Sequence, residues 1–447
     1  MRSAQMKRRD FVSAVSRGML GAVWLGGVTT MAQGRTRSTK NRQGGGGTGF
    51  VYDDLYLDHI LSTTHPESPA RLETIVAYMN DTGLMSRISQ LDQSVDPLQN
   101  ILEVHSQTHH ESVQSCEPTG RIAAHAVAEI LGAVKAVHEG AVRNAFCAVR
   151  PPGHHSHNNT ANYDGTCKGQ GFCFYGNVAI AAKYAQSLGY QRILICDWDY
   201  HHGNGTEWAF YDDPSVFFFS THNWQAYPGT GDPSRTGVGD GVGYNLNVHL
   251  PPGAGNAEVI AAWEQKLLPK LTELDFRPDL VLISAGFDSR VNDTLGVLSI
   301  TDAGFADLTR LAMSIADEHC GGRIVSCLEG GYNVDGTARA VCAHVATLAG
   351  LDWGDYIPSK ARSRRGMGLP VRQPEVRHGI LYVPPERADA VERVTVLDVA
   401  GREVYAVPDT ELGRTAFDLW PDHLAAGMYV VRIWMRGRNP IEVPFRD

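Results

Sequence analysis

Between residues 50 and 350, short apolar runs alternate with longer runs of helical periodicity, and no other feature constrains the fold as strongly. Strands that alternate with amphipathic helices form a parallel sheet with helices on both faces. The sequence therefore predicts an α/β domain. The predicted strands are Ala145–Val149, Ile193–Cys196, Val216–Phe219, Leu280–Ile283 and Arg323–Leu328. The predicted helices are Arg121–Glu139, Val178–Leu188, Ala257–Leu274, Asp302–His319 and Gly336–Leu348.

A polar motif follows each predicted strand directly. The carboxyl ends of parallel strands lie at one edge of the sheet, and ligands bind there. We therefore expect the histidines, aspartates, tyrosine and glycines of these motifs to gather into an active site. The motifs are Arg150-Pro-Pro-Gly-His-His-Ser156, Asp197-Trp-Asp-Tyr-His-His202, Ser220-Thr-His222, Ala285-Gly-Phe-Asp-Ser289 and Glu329-Gly-Gly-Tyr-Asn333.

Asp197, Asp199 and His201 are spaced two residues apart at the end of one predicted strand. On extended backbone this spacing places all three side chains on one face. Two carboxylates and an imidazole would repel or lose solvation there unless a cation lay between them. Zn²⁺ suits such oxygen and nitrogen donors. A solvated polar loop is the alternative reading of this motif taken alone.

The charge is unevenly distributed along the chain. Residues 1–49 contain nine Lys/Arg and one acidic residue, residues 50–350 contain 17 Lys/Arg against 34 Asp/Glu, and residues 351–447 contain 14 of each. An acidic main domain has no basic stripe for phosphates, which argues against nucleic-acid binding. The acidic charge favours cationic substrates or partners.

The basic N-terminus is typical of an export signal. Arg8, Arg9 and Phe11 resemble a twin-arginine motif, a modest apolar stretch covers 18–28, and the small residues at 30–32 suit cleavage. The apolar stretch is too short and glycine-rich for a stable membrane span. We predict an export signal at 1–32, a flexible linker at 33–49, and a periplasmic or extracellular location. A disordered basic tail is the alternative.

The eight cysteines show no zinc-finger spacing and no disulfide framework. Cys147, Cys196 and Cys327 fall inside apolar runs, where cysteine is usually a small buried side chain. Cys167 and Cys173 flank a glycine-rich loop, and whether they pair outside the cell stays open at this point.

Taken in order, the motifs resemble those of the zinc-dependent histone deacetylases, closer to the class II branch and its bacterial relatives. The resemblance extends from Asp53 through His344 and implies the arginase–deacetylase α/β fold. Arginase-like enzymes hold two manganese ions with more carboxylates, whereas this chain supplies one metal set. The matching motifs are His65-Pro-Glu-Ser-Pro-Ala-Arg71, Arg150-Pro-Pro-Gly-His-His155, Gly171-Phe-Cys-Phe-Tyr-Gly-Asn-Val178, Asp197-Trp-Asp-Tyr-His-His-Gly-Asn-Gly205, Tyr227-Pro-Gly-Thr-Gly-Asp232, Ser284-Ala-Gly-Phe-Asp288 and Leu328-Glu-Gly-Gly-Tyr332.

The resemblance implies the roles of the metal ligands and of the base. Asp199, His201 and Asp288 would bind Zn²⁺ and leave room for water and a substrate carbonyl. His155 would be the general base that later protonates the leaving amine. His154 would be its electrostatic partner.

The same resemblance implies the roles of three further residues. Asp197 would orient His154. Asn204 would be the partner of His155, and a neutral asparagine there is the class II choice. Tyr332 would donate its hydroxyl to the oxyanion of the tetrahedral intermediate.

The resemblance also implies a substrate tunnel. Phe172 and Tyr227 would sandwich the methylene stem of an acyl-lysine, and Gly171 would allow close packing around the cavity. Arg71 matches an arginine beneath the zinc site that is associated with product acetate. Leu295 stands where the polyamine-deacetylating branch has an acidic gatekeeper, so an apolar residue here favours acetyl-lysine.

Two structural monovalent-cation sites, suited to K⁺, are implied as well. Backbone carbonyls would supply most of the ligands. The inner site would comprise Asp197, Asp199, His201, Ser220 and Thr221, and the outer site Phe210, Asp213, Val216 and Tyr244.

The composition changes after Leu351. We predict a deacetylase domain at 50–355, a linker at 356–387 and a small all-β module at 388–447. The module resembles the C-terminal sorting domain of secreted proteins in gliding bacteria, through Val396-Leu-Asp-Val-Ala-Gly-Arg402 and Leu424-Ala-Ala-Gly-Met-Tyr-Val-Val-Arg432. A β-sandwich appendage for packing or adhesion is the alternative.

Together these patterns predict an exported, zinc-dependent amidohydrolase that removes acetyl from a small-molecule or peptide N-acetyl substrate, with acetyl-lysine foremost. One alternative is an acetylpolyamine hydrolase. Another is a catalytically silent protein that binds an acetylated ligand. The intact set of polar motif residues argues against this second alternative. The sequence leaves the oligomeric state open, a homo-oligomer included.

Overall fold

The computed structural model describes residues 47–62, 64–158, 167, 169–358, 375–377, 380–382, 391–398, 402–407, 416–418, 428–436 and 441–446. All of them belong to one compact unit, residues 45–447. The predicted export signal at 1–32, and the predicted linker up to residue 46, lie outside the described residues.

The main sheet has eight strands, all paired in parallel. Their order in the sheet is β2-β1-β3-β8-β7-β4-β5-β6. The five strands predicted from the sequence are confirmed, and they form the contiguous centre β3-β8-β7-β4-β5. The bounds are β1 Thr48–Val51, β2 Ser89–Leu91, β3 Asn144–Cys147, β4 Ile193–Asp197, β5 Val216–His222, β6 Asn245–His249, β7 Leu280–Ala285 and β8 Ile324–Leu328.

The three strands that the sequence did not predict lie toward the two edges of the sheet. β1 begins at Thr48, so Thr48 and Gly49 belong to the sheet rather than to the predicted linker. β2 is three residues long and largely exposed, and β6 alternates between buried and partly exposed positions. Such strands lack the continuous apolar run that marks a central parallel strand.

Helices connect and flank these strands. The predicted helices are confirmed to within two residues at each end, except that the run Ala257–Leu274 is divided by a π-helical turn at Trp263–Leu267. Pro269, which has no N–H to donate, follows that turn. The helices are α1 Ala70–Asp81, α2 Leu98–Val104, α3 Gln107–Gln114, α4 Thr119–His138, α5 Asn177–Ser187, α6 Asn204–Phe210, α7 Asn256–Ala262, α8 Leu268–Glu273, α9 Asp302–Cys320 and α10 Val334–Leu348.

The structure decides the cysteine pairing that the sequence left open. Cys167 pairs with Cys116, and their Cα atoms lie 5.5 Å apart. Cys173 does not pair with Cys167: it is a buried free thiol whose Sγ donates to the carbonyl of Gly171. The disulfide thereby joins the loop after β3 to the segment between α3 and α4.

Two small antiparallel sheets lie in the C-terminal segment, in the orders β13-β10-β9 and β12-β11-β14-β15. The predicted all-β character is confirmed for the described residues of 388–447, although β9 and β10 fall inside the predicted linker 356–387. The sorting role stays a prediction. The bounds are β9 Glu375–Arg377, β10 Ile380–Tyr382, β11 Val391–Asp398, β12 Glu403–Ala406, β13 Ala416–Asp418, β14 Met428–Met435 and β15 Ile441–Arg446. Among the described residues, no helix combines the length and apolarity needed to cross a bilayer.

Candidate metal-dependent active site

The loops after β3, β4, β7 and β8 converge at the carboxyl edge of the sheet, as the sequence predicted. The Nδ1 atom of His201, after β4, lies 2.9 Å from the Oδ2 atom of Asp288, after β7. The N–H of Gly330, after β8, donates to Asp199 at 2.8 Å. The Nε2 atom of His154, after β3, lies 3.8 Å from the same aspartate. Four loops that are distant in sequence therefore share one small volume.

Asp199, His201 and Asp288 form a group of three side chains that could hold a metal ion, with donor atoms within 4.8 Å of one another. The Nδ1 atom of His201 lies 3.2 Å from Asp199 Oδ1 and 2.9 Å from Asp288 Oδ2. Both aspartates are buried. The predicted ligand set is thus brought together, with one nitrogen and two carboxylate donors facing each other.

Backbone groups orient the two aspartates. The N–H of Tyr200 donates to Asp288 Oδ1 at 2.8 Å, which leaves Oδ2 directed at His201. A side chain at Gly286 would place its Cβ 2.0 Å from Asp199 Oδ2. Glycine at this position is therefore required by the close approach of the backbone to the carboxylate.

The electrostatics of this group fit a divalent cation. Burial and the adjacent charge of Asp199 raise the pKa of Asp288 to about 7. Burial alone would lower the pKa of His201, but hydrogen bonds to Asp199 and Asp288 raise it to about 10. The site thus attracts positive charge, and a zinc ion could replace the proton. An imidazole and two carboxylates are ordinary zinc ligands, and three protein ligands leave a position open for catalysis.

The adjacent histidines His154 and His155 have different partners. Nδ1 of His154 lies 2.9 Å from the carboxylate of Asp197, and Nδ1 of His155 lies 2.7 Å from the amide oxygen of Asn204. Asp197 is therefore not part of the three-ligand group, although the two-residue spacing placed it on a common face with Asp199.

The partners and the burial set the proton affinities of the two histidines. Burial would lower the pKa of His154, but the charges of Asp199 and Asp197 raise it well above its usual value. Burial and the charge of His154 hold the pKa of His155 well below its usual value. The pair therefore combines a charged imidazole with a neutral one.

Aromatic rings surround the approach to this group. The ring of Tyr227 lies 5.0 Å from that of His155, and the ring of Phe172 lies 5.9 Å from that of Tyr332, both nearly perpendicular. Gly171 has a φ of 52°, and a Cβ there would meet the ring of His155 at 2.3 Å. Both aromatic residues predicted to line the substrate tunnel thus lie against a predicted catalytic residue, and Gly171 permits this close packing.

Comparison with known proteins identifies the family. The model of the histone deacetylase domain matches residues 65–348. Over 345 residues the chain is 36% identical to a probable deacetylase of Archaeoglobus fulgidus, an alignment that covers 72% of this chain and 93% of the relative. This chain belongs to the histone deacetylase family. The crystal structure of the HDA15 HD domain is similar to this deacetylase with a TM-score of 0.62 at 32% identity, covering 68% of this chain and 89% of that one.

Two eukaryotic family members are similar in sequence but carry different names. The deacetylase is 34% identical to human histone deacetylase 9 and 38% identical to mouse polyamine deacetylase HDAC10, over 69% and 68% of its length. The alignments cover 34% and 48% of those relatives, so the chain spans less than half of either. Membership of the family therefore supports deacetylase activity, but it does not identify which acetylated compound is the substrate.

A buried ionic cluster beneath the deacetylase site was not predicted in full. Arg71 was predicted, and its Nε donates to the carbonyl of Gly331 at 2.6 Å. Glu67, to which no role was given, accepts from Arg71 at 3.1 Å and from Arg150 at 2.7 Å. His59 lies 3.2 Å from the same carboxylate. The sequence did contain one sign of a role for Glu67, which is its position inside the motif His65–Arg71.

Glu329 and Asp293 also hold parts of the site and were missed. Glu329 accepts from the N–H of Gly153 at 2.6 Å and so holds the loop that carries the histidine pair. Asp293 accepts from the N–H groups of Tyr332 at 2.7 Å and Leu295 at 2.8 Å. It thereby fixes the predicted gatekeeper, which is 40% exposed, beside the predicted oxyanion donor. An acidic residue in a polar loop gives no sign of such a role until the loops are folded together.

Glu207 is the fourth missed acidic residue, and it supports the loop that carries Tyr227. Its carboxylate accepts from Asn247 at 2.7 Å and from Arg235 at 2.8 Å, and it lies 3.3 Å from Nε2 of His202. Nδ1 of His202 lies 2.8 Å from the hydroxyl of Thr230. The predicted motif Ser220-Thr-His222 lies inside β5 rather than after it. It joins this cluster and not the metal group, since His222 contacts Ser220, the carbonyl of Gly231 and the ring of His202.

The residues of the two predicted cation sites lie on adjoining elements. Asp197 pairs with Ser220 across β4 and β5, which brings the inner set together. In the outer set, the carboxylate of Asp213 lies 3.1 Å from Nζ of Lys183, whose ammonium lies 5.0 Å from the ring centre of Phe210. Potassium binding at either place stays a prediction.

Proposed function

We propose that this chain is a zinc-dependent amidohydrolase that removes the acetyl group from an acetylated lysine side chain. The observation that carries the proposal is the meeting of the Asp199–His201–Asp288 group with a neutral imidazole, His155, whose ring lies 5.9 Å from that of His201 and 5.0 Å from that of Tyr227. When bound there, zinc supplies Lewis-acid polarisation of a carbonyl and increases the acidity of water.

The hydrogen bonds assign the protons of the histidine pair. An amide oxygen can only accept, so Nδ1 of His155 carries its proton toward Asn204. Nε2 of His155 is then free to take a proton from the attacking water and later to give it to the leaving amine. His154, held by Asp197, keeps a positive charge beside the reacting centre.

Tyr332 supplies a donor for the developing negative charge. Burial, followed by the charge of Asp288, raises the pKa of Tyr332 well above its usual value, so its hydroxyl keeps its proton. A protonated phenol can donate to the oxyanion of the tetrahedral intermediate. Phe172 and Tyr227 would hold the methylene stem of the lysine between their rings.

The test is acetate release from an acetyl-lysine peptide and from N-acetylputrescine, measured side by side on the zinc-loaded chain. We expect turnover of the peptide, loss of turnover after chelation, and recovery with zinc. Asp288→Ala removes one of the three ligands, so it should lose both the ion of this group and the activity. Ser289→Ala, one residue away, should keep both. Turnover of neither substrate, or full activity in Asp288→Ala, would contradict the proposal.

An acetylpolyamine is the second candidate substrate, and the acidic charge of residues 50–350 favours it. Leu295 can distinguish the two substrates because it is an exposed apolar side chain whose loop is held by Asp293. Leu295→Glu should raise kcat/KM for N-acetylputrescine relative to the peptide, by attraction of the free ammonium. Val297→Glu is the matched control, since Val297 is also exposed on this loop. If the unmodified chain already prefers N-acetylputrescine, the peptide assignment is wrong.

We also propose export by the twin-arginine route, which rests on Arg8, Arg9 and Phe11 and on the apolar stretch that follows them. The double change to lysine should retain the protein in the cytoplasm, because the receptor distinguishes arginine from lysine at this pair. Lysines at Arg35 and Arg37 keep the same net charge and should leave export unchanged. Normal export of the Arg8/Arg9 variant would exclude this route.

A further inference from the structure

A second group of side chains that could hold a metal ion lies away from the deacetylase site. Asp53 caps a short 3₁₀ helix at Asp54–Asp58, and His125 and Glu129 lie one turn apart on α4. Their donor atoms all lie within 4.8 Å of one another. We propose that Asp53, His125 and Glu129 bind a second zinc ion, which joins the 3₁₀ helix to α4.

The spacing of the donors suits tetrahedral zinc. Nε2 of His125 lies 3.1 Å from Oδ2 of Asp53 and 3.7 Å from Oε1 of Glu129. Zinc bonds of about 2.0–2.2 Å place neighbouring tetrahedral donors about 3.3–3.6 Å apart. The two measured separations bracket that range, so small side-chain shifts would complete the geometry.

Each carboxylate already has one oxygen engaged by the protein, which leaves the other oxygen for an ion. Oδ1 of Asp53 accepts from the N–H of Leu55 at 2.8 Å, and Oδ2 faces His125. Oε2 of Glu129 accepts from the hydroxyl of Tyr56, and Oε1 faces His125. Hydrogen bonds of this kind orient metal ligands and are typical of the surroundings of a zinc site.

The charges at this place favour a cation. The carboxylates of Asp53 and Glu129 both face the single imidazole of His125, and Glu129 is buried. A divalent ion would relieve the repulsion between the two carboxylates. The side chains of Asp53 and His125 remain partly exposed, so an ion and a completing water can reach them.

The second site is separate from the catalytic group and would act on stability. Tyr56 contacts both regions: its hydroxyl bonds to Glu129, and its carbonyl accepts from Arg150 at 2.7 Å. An ion that binds only the folded chain shifts unfolding to higher temperature as its free concentration rises. His125 touches none of the deacetylase residues named above, so catalysis should not depend on it.

Zinc content per chain, measured on the full protein equilibrated with buffered micromolar Zn²⁺, tests the proposal. We expect about two zinc ions in the unchanged chain, one at Asp199–His201–Asp288 and one at Asp53–His125–Glu129, and about one in either His125→Ala or Asp288→Ala. The double variant should bind none. His138→Ala is the matched control, because His138 is an exposed histidine on the same helix, and it should keep both ions.

The outcomes separate this site from the catalytic one. His125→Ala should keep its acetate release and the part of the zinc-dependent rise in Tm that comes from the Asp199–His201–Asp288 group. It should lose the other part of the rise, which Asp288→Ala retains. A single zinc ion in the unchanged chain, lost in Asp288→Ala, would show that Asp53, His125 and Glu129 form only a hydrogen-bonded triad. Two zinc ions in His125→Ala would also overturn the proposal.

Discussion

The Nδ1 atom of His155 lies 2.7 Å from the amide oxygen of Asn204. A carboxylate at this distance would stabilise an imidazolium, whereas an amide stabilises one tautomer of the neutral ring. The neighbouring His154 has the carboxylate of Asp197 instead. Despite burial, the charges of Asp199 and Asp197 thus raise the pKa of His154, whereas the amide of Asn204 adds no charge beside His155, whose pKa is lowered by burial and by the charge of His154.

Asn204→Asp should shift the pH profile of the deacetylase. The new carboxylate would raise the pKa of His155, so the neutral base would form only at higher pH. We therefore expect the acidic limb of kcat/KM to move to higher pH. The profile of acetate release against pH measures the shift. An unchanged limb would show that His155 does not limit the reaction at low pH.

Glu207 should affect substrate binding more than the chemical step. Glu207→Leu leaves Arg235, Asn247 and His202 without their shared acceptor and loosens the loop of Tyr227. Buried donors left unpaired cost about 1–3 kcal/mol each. We expect KM for the acetyl-lysine peptide to rise by about tenfold, which is about 1.4 kcal/mol, with a smaller change in kcat.

Glu207→Gln is the conservative control, because it keeps the shape and one acceptor oxygen. It should have a smaller effect on KM than Glu207→Leu. A fall in kcat at constant KM in the leucine variant would instead place Glu207 in the chemical step.

Glu67 should make the fold sensitive to acid. Although burial opposes ionisation, Arg150 and then His59 hold the pKa of Glu67 well below its usual value. Because the folded-state pKa is depressed, the stabilisation is present above the unfolded value of about 4.3 and is lost as the pH falls below it.

Glu67→Gln should lower the free energy of unfolding at pH 7 by about 3–5 kcal/mol, since it leaves buried cations without their partner. The difference from the unchanged chain should shrink toward acidic pH. Denaturant titrations at several pH values measure both effects. An equal difference at every pH would show that the charge of Glu67 does not stabilise the fold.

The central strands and the metal group were the parts of the structure most accessible from sequence. Continuous apolar runs such as Leu280–Ala285 mark strands buried on both faces, and the parallel arrangement then fixes where the following loops meet. Position after the strands gathered Asp199, His201 and Asp288 at one edge of the sheet, but the resemblance to the histone deacetylases implied that these three are the ligands. Spacing alone had grouped Asp197 with Asp199 and His201. Short edge strands such as Ser89–Leu91 carry no such pattern.

The supporting acidic residues could not be predicted because their roles depend on long-range contacts. Glu329 holds the N–H of Gly153, which is 176 residues earlier in the chain. The pairing of Cys116 with Cys167 depends likewise on how the loop after β3 lies against the segment before α4. The sequence left open whether Cys167 pairs with Cys173, which is instead a buried free thiol whose Sγ donates to the carbonyl of Gly171.

Tyr332→Phe tests the central claim most directly, because it removes one hydroxyl and almost no volume. The measurement is kcat for acetate release from the acetyl-lysine peptide, at unchanged zinc content and Tm. Loss of a donor to the oxyanion should lower kcat by roughly 10²–10³, or about 2.7–4 kcal/mol, with a much smaller change in KM. A variant that retains the kcat of the unchanged chain would contradict the assignment of Tyr332 to the reacting carbonyl, and with it the proposed mechanism.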